Sequence, residues 1–214
     1  MTTVPNLANR LRPAGFSGRV WLVHGFNVSD RGLGTTDSMR SHYEAEGFEV
    51  HEFDTGWRGL SMVRFGNAKH ARRLAQGIHE GDILVGHSDG CNIIDQAAWR
   101  LAGADSPRPL ACIYYNPALD QDAPLAPQIK STLIFHTQSD WIVKLAAWFK
   151  WHPWGKMGAT GYVEHAQVAT DPRYRNAAYE HLGLNNLGHS GVFKDPTYRE
   201  RTFIRTELFL QSLI

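Results

Sequence analysis

Three residues in this chain could together make a serine nucleophilic, and they are far apart in sequence. Ser88 stands in "DILVGHSDGCNIID" (82–95), boxed by Gly86 and Gly90 where an apolar run gives way to a helix-like stretch. Asp140 ends "STLIFHTQSD", and His189 sits in the glycine-flanked "LGHSGVF". Each has a plain reading as well. Gly, Ser and Asp are ordinary turn residues, an aspartate after a strand commonly caps a helix, and most of the 11 histidines are expected to be solvated or structural. The sharper reading of Gly86-His87-Ser88-Asp89-Gly90 is a serine on a strained bend, with small residues on either side so that the following helix can close onto the strand.

A carbonyl attacked by a serine gathers negative charge on its oxygen, and two fixed backbone N–H groups there are worth roughly 3 kcal/mol each. "HGFN" (24–27) offers the N–H of Phe26 beside a strand-end glycine. The second candidate is the N–H of Asp89, at the positive end of the helix after Ser88. The plain alternative is a strand-to-loop glycine.

These pieces need strands to end where they stand. "GRVWLVHGF" (18–26), "FEVHEFDTG" (48–56), "DILVGHS" (82–88), "PLACIYYNPAL" (109–119) and "STLIFHTQSD" (131–140) read as strands, with "TGYVEHAQV" (160–168) as a last one. Helical spacing is expected over 37–47, 62–78, 92–101 and 196–214. Strands that are apolar throughout and alternate with helices predict an α/β protein, a mostly parallel central sheet with helices on both faces. In such sheets ligands collect at the carboxyl ends of the strands, where all four motifs fall.

The bulk numbers exclude several classes. At 214 residues, 43% hydrophobic and 20% charged, the chain suits one globular domain over 1–214. A net charge of +1, from 22 basic and 21 acidic side chains, predicts no pull toward nucleic acid. No run approaches the roughly 18 apolar residues of a membrane span, and the N-terminus has no signal-peptide core. Cys91 and Cys112, both in apolar segments, are expected to be buried free thiols, which points to a reducing, cytoplasmic setting. No His-Glu-x-x-His or Cys-x-x-Cys suggests a metal.

The order serine, acid, histidine, each after its own element, together with His24-Gly25 and Gly86-His87-Ser88-Asp89-Gly90, resembles the α/β-hydrolase family from Gly18 onward. Only 17 residues precede the first strand, so the family's leading hairpin is expected to be reduced, as in its small single-domain members. The resemblance implies Ser88 as nucleophile, His189 as general base and Asp140 as the acid that orients it, with Phe26 and Asp89 as oxyanion donors. No cofactor or metal is implied. Asp120 and Asp122 are competing acids, because some members place the acid one strand earlier. The implied reaction is hydrolysis of a carboxylic ester, thioester or lactone of a small to medium apolar acid. A catalytically silent binding module and an acyltransferase are the alternatives.

The interval from Asp140 to His189, 49 residues, is longer than a strand and a loop require. It holds four of the seven tryptophans, in a Trp-rich insert over 141–162. Trp141, Leu145 and Trp148 fall on one helical face. Core packing, a cap over the site and membrane-surface contact all fit this stretch. Candidate substrate-binding residues are Asn27 and, on the cap reading, Trp141, Trp148 and Trp151.

Overall fold

The computed structural model describes residues 5–26, 29–56, 63–102, 110–148, 154–163 and 171–214. Six strands form one sheet: β1 (Arg19–Val23), β2 (Glu49–Phe53), β3 (Ile83–His87), β4 (Leu110–Tyr115), β5 (Ile129–His136) and β6 (Tyr174–Ala178). Their order is β2-β1-β3-β4-β5-β6, and every pairing is parallel. The helices are α1 (Leu7–Leu11), α2 (Arg40–Ala45), α3 (Val63–Gly77), α4 (Asp89–Leu101), α5 (Trp141–Ala146), α6 (Met157–Thr160) and α7 (Pro196–Gln211).

The central strands are largely apolar on both sides because both sides are covered. Along β3, Ile83 and Val85 join one core with Leu7, Tyr43, Phe203 and Leu210, while Leu84 joins another with Leu74, Ile93 and Ile94. The two-residue alternation of a strand thus sends successive side chains to α1, α2 and α7 on one face and to α3 and α4 on the other. Cys91 and Cys112 are buried free thiols in the second core. Among the described residues, no helix is long and apolar enough to cross a membrane.

The chain turns outward from β1 to β2, then crosses to β3 on the other side of β1. This places the topological switch, the usual ligand crevice of an open parallel sheet, between the ends of β1 and β3.

One expected strand is misplaced. Thr160 closes α6, residues 161–163 are not strand, and 164–168 lie outside the described residues. The last strand is Tyr174–Ala178 instead, an edge strand in which Arg175 and Asn176 face solvent. Paired on one side only, it carries polar residues that no interior strand would tolerate.

Candidate active site

Ser88 leaves β3 and precedes α4 with φ 54° and ψ −124°, in the positive-φ region that non-glycine residues rarely enter. A side chain at Gly90 would collide with the Val23 and His24 carbonyl oxygens, so glycine there lets α4 close onto the end of β1. The bend is therefore not a loose turn. It is held between two elements, with the Ser88 N–H donating to the Tyr115 carbonyl at 3.0 Å.

The structure brings the three distant residues together. His189 Nε2 lies 2.8 Å from Ser88 Oγ, and His189 Nδ1 lies 2.8 Å from Asp140 Oδ2. The carboxylate accepts, so Nδ1 carries the proton and Nε2 is left to accept from the Ser88 hydroxyl. Asp140 is fully buried, and its carboxylate is hydrogen-bonded at both oxygens. Its Oδ1 accepts from the Val143 N–H at 3.0 Å, and its Oδ2 also accepts from Asn116 Nδ2 at 2.8 Å. It caps α5 and holds His189 at once, so the two readings of this aspartate are not rivals. Asp120 is exposed, and with Asp122 it lines a separate cavity of about 260 Å³.

The loop carrying His189 is tied down twice. The Gly188 N–H donates to Ser139 Oγ at 3.1 Å, and His87 Nε2 donates to the His189 carbonyl at 3.0 Å. His87 is buried, and burial first, then the neighbouring His189, lowers its pKa to about 3. It stays a neutral donor and puts no cation beside His189.

Gly25 packs directly on the serine, since a Cβ there would meet Ser88 Cβ at 3.0 Å. The side chain of His24 orients this loop. Its buried ring donates from Nδ1 to the Gly25 carbonyl at 3.0 Å and accepts the Thr55 N–H at Nε2 at 3.2 Å. The Gly25 carbonyl and the Phe26 N–H belong to one planar peptide and point to opposite sides of it, so fixing one fixes the other. Asp89 is the first residue of α4, and its N–H lies in the first turn, where amides point away from the helix.

Beside Ser88 opens an apolar cavity of about 410 Å³, walled by Phe26, Ala118, Ile142, Val143, Ala146 and Trp154, with His189 at its polar end. Trp141 and Trp148 are not in that wall; they are 64% and 79% exposed. The six-residue α5 turns Ile142, Val143 and Ala146 to the cavity and the Trp141–Leu145–Trp148 stripe outward, so the stripe is neither core nor lining. Asn27 and Trp151 lie outside the described residues.

Two contributors escape a reading of the sequence for its motifs. Asn116, at φ 48°, reaches Asp140 from the end of β4, and its Oδ1 accepts from Tyr179 Oη at 3.1 Å. Its one signal is a polar residue before Pro117 at a strand end. Trp154 contacts the site through Asp89, whose carboxylate is buried and accepts from Trp154 Nε1 at 2.8 Å and from Asn67 Nδ2 at 2.6 Å. Neither spacing nor periodicity flags a pair 65 residues apart.

No family model matches the chain, and no curated protein does. Solved structures do. Alpha/beta hydrolase domain-containing protein 10 from mouse aligns over 94% of this chain and 92% of its own, with a TM-score of 0.61 at 11% identity. A monoacylglycerol lipase from Paleococcus ferrophilus aligns over 92% and 95%, with a TM-score of 0.54 at 15% identity. Esterase PE8 aligns over 99% and 97%, with a TM-score of 0.53 at 16% identity. The identities are low and the coverage nearly complete: the chain has the α/β-hydrolase fold.

Proposed function

We propose that this protein is a serine hydrolase that cleaves the carboxylic ester, thioester or lactone of a small to medium apolar acid. The observation that carries the reading is the hydrogen-bonded chain from Ser88 Oγ through His189 to Asp140, 2.8 Å at each link, opening on an apolar cavity. Ser88 Oγ attacks the carbonyl carbon and gives its proton to His189 Nε2, while the Asp140 carboxylate stabilises the imidazolium. The Phe26 and Asp89 N–H groups receive the developing oxyanion. Collapse expels the leaving alcohol or thiol, which takes the proton from His189, and the acyl group stays on Ser88. Water then repeats the sequence and releases the acid, so the chemistry asks for no cofactor.

Two of the structural neighbours are named as a lipase and an esterase, which supports ester chemistry on this fold without choosing a substrate. The reading takes residues 1–214 as one domain, places the protein in the cytoplasm and gives it a small-molecule substrate rather than a nucleic acid.

A fluorophosphonate probe is expected to label the protein once, on the peptide carrying Ser88. p-Nitrophenyl esters are expected to turn over in the wild type and not in Ser88→Ala. Labelling or turnover that survives Ser88→Ala overturns the assignment. A protein that binds esters but never turns them over is a binding module.

A further inference from the structure

Trp154 lines two cavities at once. It is a wall residue of the apolar space beside Ser88 and of the smaller, polar space lined by Asp120, Asp122 and Lys156. The indole has one polar and one aromatic contact. Its Nε1–H donates to the buried Asp89 carboxylate at 2.8 Å, and its ring leans on Phe26 with centroids 5.6 Å apart. The chain behind it is tied to the loop after β4 by the Met157 N–H to the Leu119 carbonyl at 3.0 Å and the Gly158 N–H to the Pro117 carbonyl at 2.8 Å. Asp89 follows the serine directly, so the residue whose backbone is proposed to serve the oxyanion also holds, through its side chain, a wall residue of the pocket.

We propose that Trp154 is the specificity-determining partition that ends the acyl pocket, and that Asp89 is the residue that positions it. This deepens the hydrolase reading and rests on it. Trp154 is the residue common to the linings of the two cavities, which is where a partition between them would stand. Its single N–H gives it one polar anchor, and a buried carboxylate is a strong acceptor for that anchor. Acyl chains that fill the apolar cavity are accepted. Longer ones meet the ring and, beyond it, polar walls.

The test is the ratio of kcat/KM for a decanoyl ester to that for a butyryl ester. Each newly buried methylene is worth about fourfold, so Trp154→Ala is expected to raise the ratio about tenfold or more. Asp89→Ala frees the ring and is expected to move the ratio the same way, whereas Asp89→Asn keeps an acceptor oxygen and the wild-type ratio. The double Ala variant is expected to go no further than Trp154→Ala alone, the non-additivity of residues acting through one contact. If Asp89→Ala does not fold, Trp154→Phe cuts the same hydrogen bond from the other side and reads the same ratio. A uniform loss on all chain lengths, with the ratio unmoved in Trp154→Ala, overturns the proposal. Calorimetric binding of linear primary alcohols, butanol to dodecanol, separates this outcome from a failure of the hydrolase reading. If the length at which affinity stops rising shifts in Trp154→Ala while no ester is turned over, the partition stands and the hydrolase falls. If it does not shift, the partition falls whatever the turnover.

Discussion

Two buried carboxylates flank Ser88, and they are built alike. Asp140 accepts from an asparagine amide, Asn116, and from a ring N–H, that of His189. Asp89 likewise accepts from an asparagine amide, Asn67, and from a ring N–H, that of Trp154. The difference is the ring. An imidazole can take a second proton and an indole cannot, so one arrangement suits proton transfer and the other suits only the holding of a shape. On the proposed reading, the same device, a desolvated carboxylate with its hydrogen bonds filled, serves chemistry on one side of the serine and selectivity on the other.

The sharpest way to break this comparison is to neutralise each acid in turn. Asp140→Asn is expected to cost up to about 10⁴-fold in kcat on a p-nitrophenyl ester, because the charge that stabilises the imidazolium is gone. Asp89→Asn keeps neutral hydrogen bonds in place of charged ones, and its kcat is expected to stay within about tenfold of wild type. Comparable losses from the two variants would mean that Asp89 serves chemistry after all.

A third acid sharpens the comparison by lacking the device. Burial alone raises Asp95 from 3.8 to about 7, with no hydrogen bond or cation among the described residues pulling it down. The folded protein therefore binds a proton there between about pH 4 and 7 that the unfolded chain has released, and stability falls as pH rises through that window. Asp95→Asn is expected to gain about 1–3 kcal/mol in urea unfolding at pH 8 and nothing at pH 4. An equal gain at both pH values would assign the effect to packing.

The smallest effect belongs to the rings that touch neither carboxylate. Trp141→Ser and Trp148→Ser are expected to change stability by no more than about 0.5 kcal/mol in thermal melts, since both side chains face solvent. A large loss would place them against a surface.

The sequence announces the residues whose backbone must do something unusual, and hides those that work through a distant side chain. Gly90 and Ser88 are legible because a strained bend and a close helix–strand approach demand particular residue types at fixed offsets. Strands β1, β3, β4 and β5 are legible because both of their faces are covered, and an uninterrupted apolar run follows. Strand β6 is not: an edge position permits Arg175 and Asn176, and nothing apolar marks it. The stripe of Trp141, Leu145 and Trp148 misleads, because helical spacing says which residues share a face and not which way that face points. Trp154 lies in the same segment, off the stripe, and only the fold brings it to Asp89.

The Ser88–His189 hydrogen bond joins residues 101 apart, and the Asp140–His189 one joins residues 49 apart. Contacts of that span close late, because the entropy of drawing the intervening chain together must be offset before they contribute anything. His189 arrives on the loop that follows the last strand to join the sheet, and His87 and Ser139 receive that loop only once β3 and β5 stand side by side with β4. In refolding, then, helices and central strands are expected to regain their circular dichroism before fluorophosphonate labelling of Ser88 returns. Recovery of that contact would then time the closing step of assembly rather than the collapse that begins it.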